Sequence, residues 1–257
     1  MNIVVPLQQT PDLVEELEIN ADGTDIDRDA VTLQLSEWDG QALEEALLLK
    51  EAGAGSVTAV TIDGGEADAI LFTALAKGVD RAVKLKPSGD APTGLDHHAL
   101  ARLLAAAVAQ LGADLVLTGV QSVEDLDGQL PVLLAAMLGW PHVSVVTGTE
   151  LRGGAIAVKQ EYSGGVMAEL EARLPAVIGI QAARQAPRYA PVSKVRQIQK
   201  TAKLEEMPVE APSGEAGLKI RRVFKPEIAG RAEILEGEPA EIAAKLVSLL
   251  KDRGLAI

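Results

Sequence analysis

The chain has 257 residues, no cysteine, 47% hydrophobic and 2% aromatic residues, and 24 basic against 37 acidic side chains, a net charge of −13. Without cysteine there is no disulfide, thiolate zinc site, cysteine-ligated iron–sulfur cluster or thiol nucleophile, which fits a reducing compartment. No stretch of about 18 uncharged apolar residues suggests a membrane span, and Met1 leads into Asn-Ile-Val-Val-Pro6 with no basic leader, so the expected location is cytoplasmic.

Short Val-, Ile- and Leu-rich runs alternate with amphipathic stretches through residue 147, the pattern of βα units around a parallel sheet. Strands are expected at 3–7, 57–62, 82–85, 115–118 and 143–147. Helices are expected at 41–52, 66–76, 96–110 and 129–138, the first and third stopped by glycine. Turn signals at 151–154 and 163–165 separate runs of alternating character at 156–161 and 166–170, a β-hairpin insertion, before the apolar stretch 176–180 rejoins the sheet. Pro187, Pro191, Pro208 and Pro212 punctuate a polar stretch that reads as an extended arm with few elements of its own. The chain closes with a helix at 238–251. The expected fold is therefore α/β, a doubly wound, mostly parallel sheet with a hairpin insertion and an extended C-terminal arm. Its divisions are a nucleotide-binding domain at 1–184, the arm at 185–235 and a terminal helix at 236–257.

Charge is unevenly spread along this plan. Residues 1–80 hold 17 acids and three bases, whereas 81–257 hold 20 acids and 21 bases. Nucleic acid and anionic membranes are therefore not expected partners of the N-terminal part. Between Ala172 and Leu204 there are seven bases and no acid. Either this is a solvated basic arm, or it packs on something acidic or anionic.

Open parallel sheets bind ligands at the carboxyl ends of their strands, which directs attention to the loops after Leu7, Ile62 and Thr118. The last is polar and opens a helix, with Asp127 as expected N-cap. Free N–H groups around Gly128 and Gln129 would suit a phosphate, although an ordinary capped βα loop explains the same residues. Asp63-Gly64-Gly65 is either a second wall of that pocket or a tight turn. No phosphate-loop, dinucleotide or nucleophile-elbow motif is present. His97, His98 and His142 lack metal-ligand spacing and read as surface or capping groups, and the carboxylates of 12–29 read as solvated charge. A nucleotide pocket is visible; catalytic machinery is not.

Four blocks of the sequence resemble the β subunit family of electron transfer flavoprotein. Residues 42–51 (ALEEALLLKE) resemble its first helix, and 73–81 (TALAKGVDR) are similar to its T-A-L-A-x-G-A-D-R segment. Residues 119–129 (GVQSVEDLDGQ) resemble its nucleotide loop, followed by a similar LGWP at 138–141. LPAV at 174–177 and PRYA at 187–190 complete the order. The resemblance implies an adenine-nucleotide α-hydrolase-like fold and a heterodimer with an α subunit that carries electrons on FAD from flavoprotein dehydrogenases to an acceptor. The FAD would lie mostly in the α subunit and AMP in this chain. Carried over by alignment, the AMP contacts are Pro6, Ser36, Trp38, Asp39, Ile62, Gln121, Ser122, Val123, Asp125, Asp127, Gly128 and Gln129. Glu161 matches a hairpin residue that contacts the α subunit. The arm after PRYA, with Val192 at the anchor position, would dock the dehydrogenase; Val195 and Ile198 extend its apolar stripe, bordered by Arg196.

The sequence departs from the family where the nucleotide is concerned. Ser36-Glu37-Trp38 stands for the family's N-P-F, Leu126 interrupts its D-x-D, Pro131 replaces a glycine, and Leu13 takes a flavin-facing aromatic position. Two further readings follow: an electron-bifurcating member with a second FAD in the AMP pocket, and a universal-stress-type adenine-nucleotide regulator, which the arm and the four blocks argue against. Trp38 is either a stacking group or packing.

Overall fold

A computed structural model describes residues 1–88, 96–210, 220–226 and 234–255. The first strand, β1 (Asn2–Pro6), is a short apolar run buried from its second residue on. β2 (Gln9–Pro11) and β3 (Leu33–Leu35) form a separate antiparallel ribbon that leads into α1 (Glu37–Glu51). The chain then alternates through β4 (Ser56–Ile62), α2 (Ala67–Lys77), β5 (Arg81–Pro87), α3 (His97–Leu111), β6 (Leu115–Gly119) and α4 (Gln129–Leu138). Three antiparallel strands follow, β7 (His142–Arg152), β8 (Ala155–Glu161) and β9 (Met167–Arg173), and β10 (Ala176–Ile180) returns to the interior. The last elements are α5 (Val192–Thr201), β11 (Glu205–Val209) and α6 (Pro239–Asp252).

Among the described residues the main sheet has nine strands in the order β11-β5-β4-β1-β6-β10-β7-β8-β9, parallel up to β7 and antiparallel beyond it. The alternation of side chains along β1 shows how the two layers are built. Ile3 and Val5 face a core shared with Leu43, Leu47 and Leu71 of α1 and α2. Val4 faces the other core, with Leu103 and Leu104 of α3 and Leu134 of α4. Each such fully buried aliphatic side chain contributes about 1.5–3 kcal/mol. The doubly wound α/β expectation holds.

The strand order reverses beside β1. From β1 the chain moves outward to β4 and β5, then α3 carries it back past β1 to β6. Such a reversal leaves a crevice above the carboxyl ends of the flanking strands, because the connections leave them in opposite directions.

The stretch that reads as an arm is more ordered than its prolines suggest. α5 packs against α2, and β11 joins the sheet as its edge strand beside β5. Glu205 pairs with Arg81, and Glu206 with Lys84 and Lys86, so charges that look like loop chemistry line a sheet edge. Residues 1–223 make one compact unit and 224–257 a second, which contains α6 with Pro239 in its first turn.

Candidate nucleotide site at the strand reversal

One buried carboxylate joins the two strand exits at the reversal. Asp39, in the first turn of α1, is fully buried. Its Oδ2 accepts the Gln8 N–H at 2.7 Å and its Oδ1 accepts the Gly119 N–H at 2.9 Å. One side chain thus spans the exits of β1 and β6. Burial pushes the Asp39 carboxyl up to about 7, against the two backbone N–H groups that pull it down. Ser36, the N-cap of α1, is buried and donates its N–H to Gln8 O at 3.0 Å. Its hydroxyl, like that of Thr118 beside Gly119, has no hydrogen-bond partner among the described residues. Trp38 is half-buried against Gly119. The residues expected at 36–39 therefore stand at the reversal, but Asp39 has both oxygens committed to backbone.

Two cavities lie beside this junction, one lined by Gln8 and the other by the loop that follows Gly119. The first, of about 240 Å³, lies over β1 and β4 and is walled by Pro6, Leu7, Ile62, Leu100 and Leu104, with Gln8, Gln9, Asp63 and Arg28 as polar lining. Pro6 and Ile62, two of the expected nucleotide contacts, thus line the same cavity. Gln9, which sequence reading passes over, ties the β4 exit in place: its Nε2 donates to Ile62 O and Gly64 O, and its Oε1 accepts the Glu66 N–H. Lys84 and Lys86 pair with Asp63 and hold its carboxyl below the usual range, although burial opposes them.

The second cavity, of about 540 Å³, is bounded by the loop after β6 and by the acidic segment that follows β2. Val123, Asp125, Asp127 and Gln129 line it, with Asp25, Glu124 and His97. Ser122, fully buried, forms a turn with Asp125; Gln121 precedes it, half-buried.

The N-terminus of α4 differs from expectation. Gly128, at φ +64°, is the N-cap, and Asp125 rather than Asp127 supplies the capping carboxylate. Its two oxygens accept the Gln129 and Leu130 N–H groups at 2.9 Å each, while the Gly128 N–H goes to Asp125 O. The reason is reach: four or five residues upstream in a tight turn, Asp125 folds back under the helix, whereas Asp127 is exposed. The donors expected to be free for a phosphate are occupied. His97 likewise departs from a surface role: it is buried, 3.9 Å from Asp125, and the cap of α3 is Asp96.

Arg28 joins the two cavities. It lines the first, and its guanidinium binds Asp25 (Nε to Oδ2, 2.9 Å) and Glu124, both of which line the second. The only signal in the sequence was a lone base inside an acidic stretch.

The expected partner residues lie elsewhere. Glu161 is exposed at the end of β8, opposite Met167 of β9. On α5, Val192 and Arg196 are exposed, while Val195 and Ile198 are half-buried. The basic segment before α5 does pack on acids, and they belong to this chain. Arg184 pairs with Glu45, and Arg188 with Glu44 and Glu51, all on α1. Among the described residues, no group of histidines and carboxylates suits a metal ion and no helix is long and apolar enough to cross a membrane.

The chain can be set beside known proteins. Residues 24–212 match the family model described as the electron transfer flavoprotein domain. The chain is 33% identical to the electron transfer flavoprotein subunit beta of Methylophilus methylotrophus, over 98% of each chain. It is 30% identical to the protein of that name from Bacillus subtilis over the full length of both. For that of Syntrophomonas wolfei the figure is 32%, over 98% of this chain and 96% of the other.

Proposed function

The chain belongs to the electron transfer flavoprotein beta subunit family, and on that basis we propose that it pairs with an α subunit and works in the cytoplasm as half of an electron carrier. The carrier accepts electrons from flavoprotein dehydrogenases. This chain binds AMP in the crevice and helps to hold FAD at its boundary with the α subunit. FAD, when bound, supplies the redox chemistry; the residues of this chain orient and enclose.

The observation that carries the reading is convergence at one reversal point. Pro6 and Ile62 wall one cavity, Val123, Asp125, Asp127 and Gln129 line its neighbour, and Asp39, beside Trp38 in the first turn of α1, ties Gln8 of the first lining to Gly119 at the start of the loop that lines the second. These groups are separated by up to about 120 residues in the chain and meet only through the sheet. The apolar walls of the first cavity suit an adenine ring. Gly128 and the N-terminus of α4 shape the loop and do not donate to the ligand. At the other end, Glu161 contacts the α subunit, and Val192 with Arg196, flanked by Val195 and Ile198, docks the dehydrogenase.

Coproduction with the α subunit, followed by denaturation and mass spectrometry of the released ligands, tests this reading. One FAD and one AMP per heterodimer are expected. Two FAD, or a colourless assembly lacking the α subunit, overturns it.

A further inference from the structure

We propose that Arg28 recognises the nucleotide's phosphate in this crevice, and that its ion pair with Glu124 is a latch the phosphate displaces. The inference rests on the nucleotide reading above and adds the residue that carries charge recognition.

Arg28 is the sole basic residue among the first 49, against twelve acids. It is also the sole basic residue among the described lining of the first cavity. The neighbouring cavity presents Asp25, Glu124, Asp125 and Asp127, a wall that repels a phosphate. The backbone donors that would compensate at the start of α4 are taken by Asp125. A phosphate entering this region therefore depends on a side-chain cation, and a guanidinium offers a planar fork that matches two phosphate oxygens.

Arg28 is placed to make that exchange without losing its orientation. Its Nε and one Nη2 contact go to Asp25 within the same loop, three residues away. The other Nη2 contact crosses to Glu124, and Nη1 has no partner among the described residues. A phosphate can take Nη1 and displace Glu124 while Asp25 still aims the group. The Arg28–Glu124 pair ties the acidic segment to the loop after β6, between the two cavities.

The test uses the full-length chain coproduced with its α subunit, stripped of nucleotide, and titrated calorimetrically with AMP and with adenosine. Arg28→Gln is expected to weaken AMP by about 10- to 100-fold, the range of a charge-assisted hydrogen-bond pair, with adenosine unchanged. Glu124→Gln, which frees the guanidinium from its competitor, is expected to tighten AMP and leave adenosine unchanged. Equal weakening of both ligands by Arg28→Gln, or weakening of AMP by Glu124→Gln, makes Arg28 a loop tie and overturns the proposal. A wild type that binds AMP no better than adenosine also overturns it. A wild type that binds neither removes the nucleotide reading itself, and this inference with it.

Discussion

Gly119 donates its backbone N–H to Asp39 Oδ1 at 2.9 Å and leaves no space for a side chain, because a Cβ there would lie 2.7 Å from Trp38 Cβ and 2.9 Å from the Asp39 nitrogen. The last residue of β6 thereby sets how closely the first turn of α1 approaches the sheet at the strand reversal. Gly119→Ala forces the first turn of α1 outward, at an expected cost of about 2–3 kcal/mol from overpacking and a weakened buried hydrogen bond. Urea unfolding at neutral pH measures it. A midpoint equal to wild type means that α1 tolerates the displacement and that Gly119 does not set its approach to the sheet.

Asp39 predicts a pH effect of definite sign. Burial raises its carboxyl from 3.8 to about 7 in the folded chain. The folded state therefore holds this proton to higher pH than the unfolded state does. The favourable contribution of the group is complete below about pH 4, declines as pH rises, and is gone above about pH 7, with a total of about 4 kcal/mol as an upper bound. Asp39→Asn does not titrate, and it leaves one of the two backbone N–H groups without an acceptor at a constant cost. The difference in unfolding free energy between the two proteins should thus shift toward the variant as pH rises from about 5 to about 8. A difference that stays flat over that range shows that Asp39 does not titrate there.

These relationships mark where sequence reading succeeds and where it stops. The alternation of apolar runs and amphipathic stretches identifies the sheet because burial on both faces demands continuous Val, Ile and Leu, as at Leu115–Gly119. The edge strand β11, EEMPV, escapes because an edge needs no such run and accepts both charge and Pro208. Asp125 and Asp127 are equally good caps by residue type; only the turn at Ser122 decides between them. The acid-free stretch 172–204 does signal an acidic partner, but Glu44 and Glu45 lie about 140 residues upstream, in a helix that reads as merely amphipathic.

Glu45 shows why those two acids matter. It is fully buried and accepts four hydrogen bonds, from Thr149 N (2.9 Å), Thr149 Oγ1 (2.7 Å), Arg184 N (3.0 Å) and Arg184 Nε (2.8 Å). Glu45→Ala strands two backbone donors and opens a cavity, at an expected cost of about 3–5 kcal/mol. Arg184→Ala is milder, about 1–2 kcal/mol, because the carboxylate keeps three donors and the lost side chain is 41% exposed. Denaturant unfolding of both variants compares them. Arg184→Ala proving the worse of the two would mean that the buried carboxylate, once deprived of its cation, dominates.

The neighbouring tie at Arg188 separates charge from geometry. Glu44, also buried, accepts the Arg188 N–H at 2.9 Å together with Nε at 3.0 Å and Nη2 at 2.8 Å, while Nη1 reaches Glu51 at 2.6 Å. Hydrogen bonds to Glu44 and Glu51 raise the Arg188 pKa, so its charge is constant at any working pH. Arg188→Lys keeps that charge but presents one ammonium, which cannot serve the Glu44 fork and Glu51 together. The segment leading to α5 should then loosen from α1, at a cost of about 1–2 kcal/mol. Hydrogen exchange resolves the consequence locally: the amide of residue 188 is expected to exchange faster in the variant, while amides within α1 keep their protection. Equal protection of that amide in both proteins would mean that the backbone bond to Glu44 alone holds the segment. The paired carboxylates of α1 would then act as an acceptor for the chain and not as a site for the guanidinium.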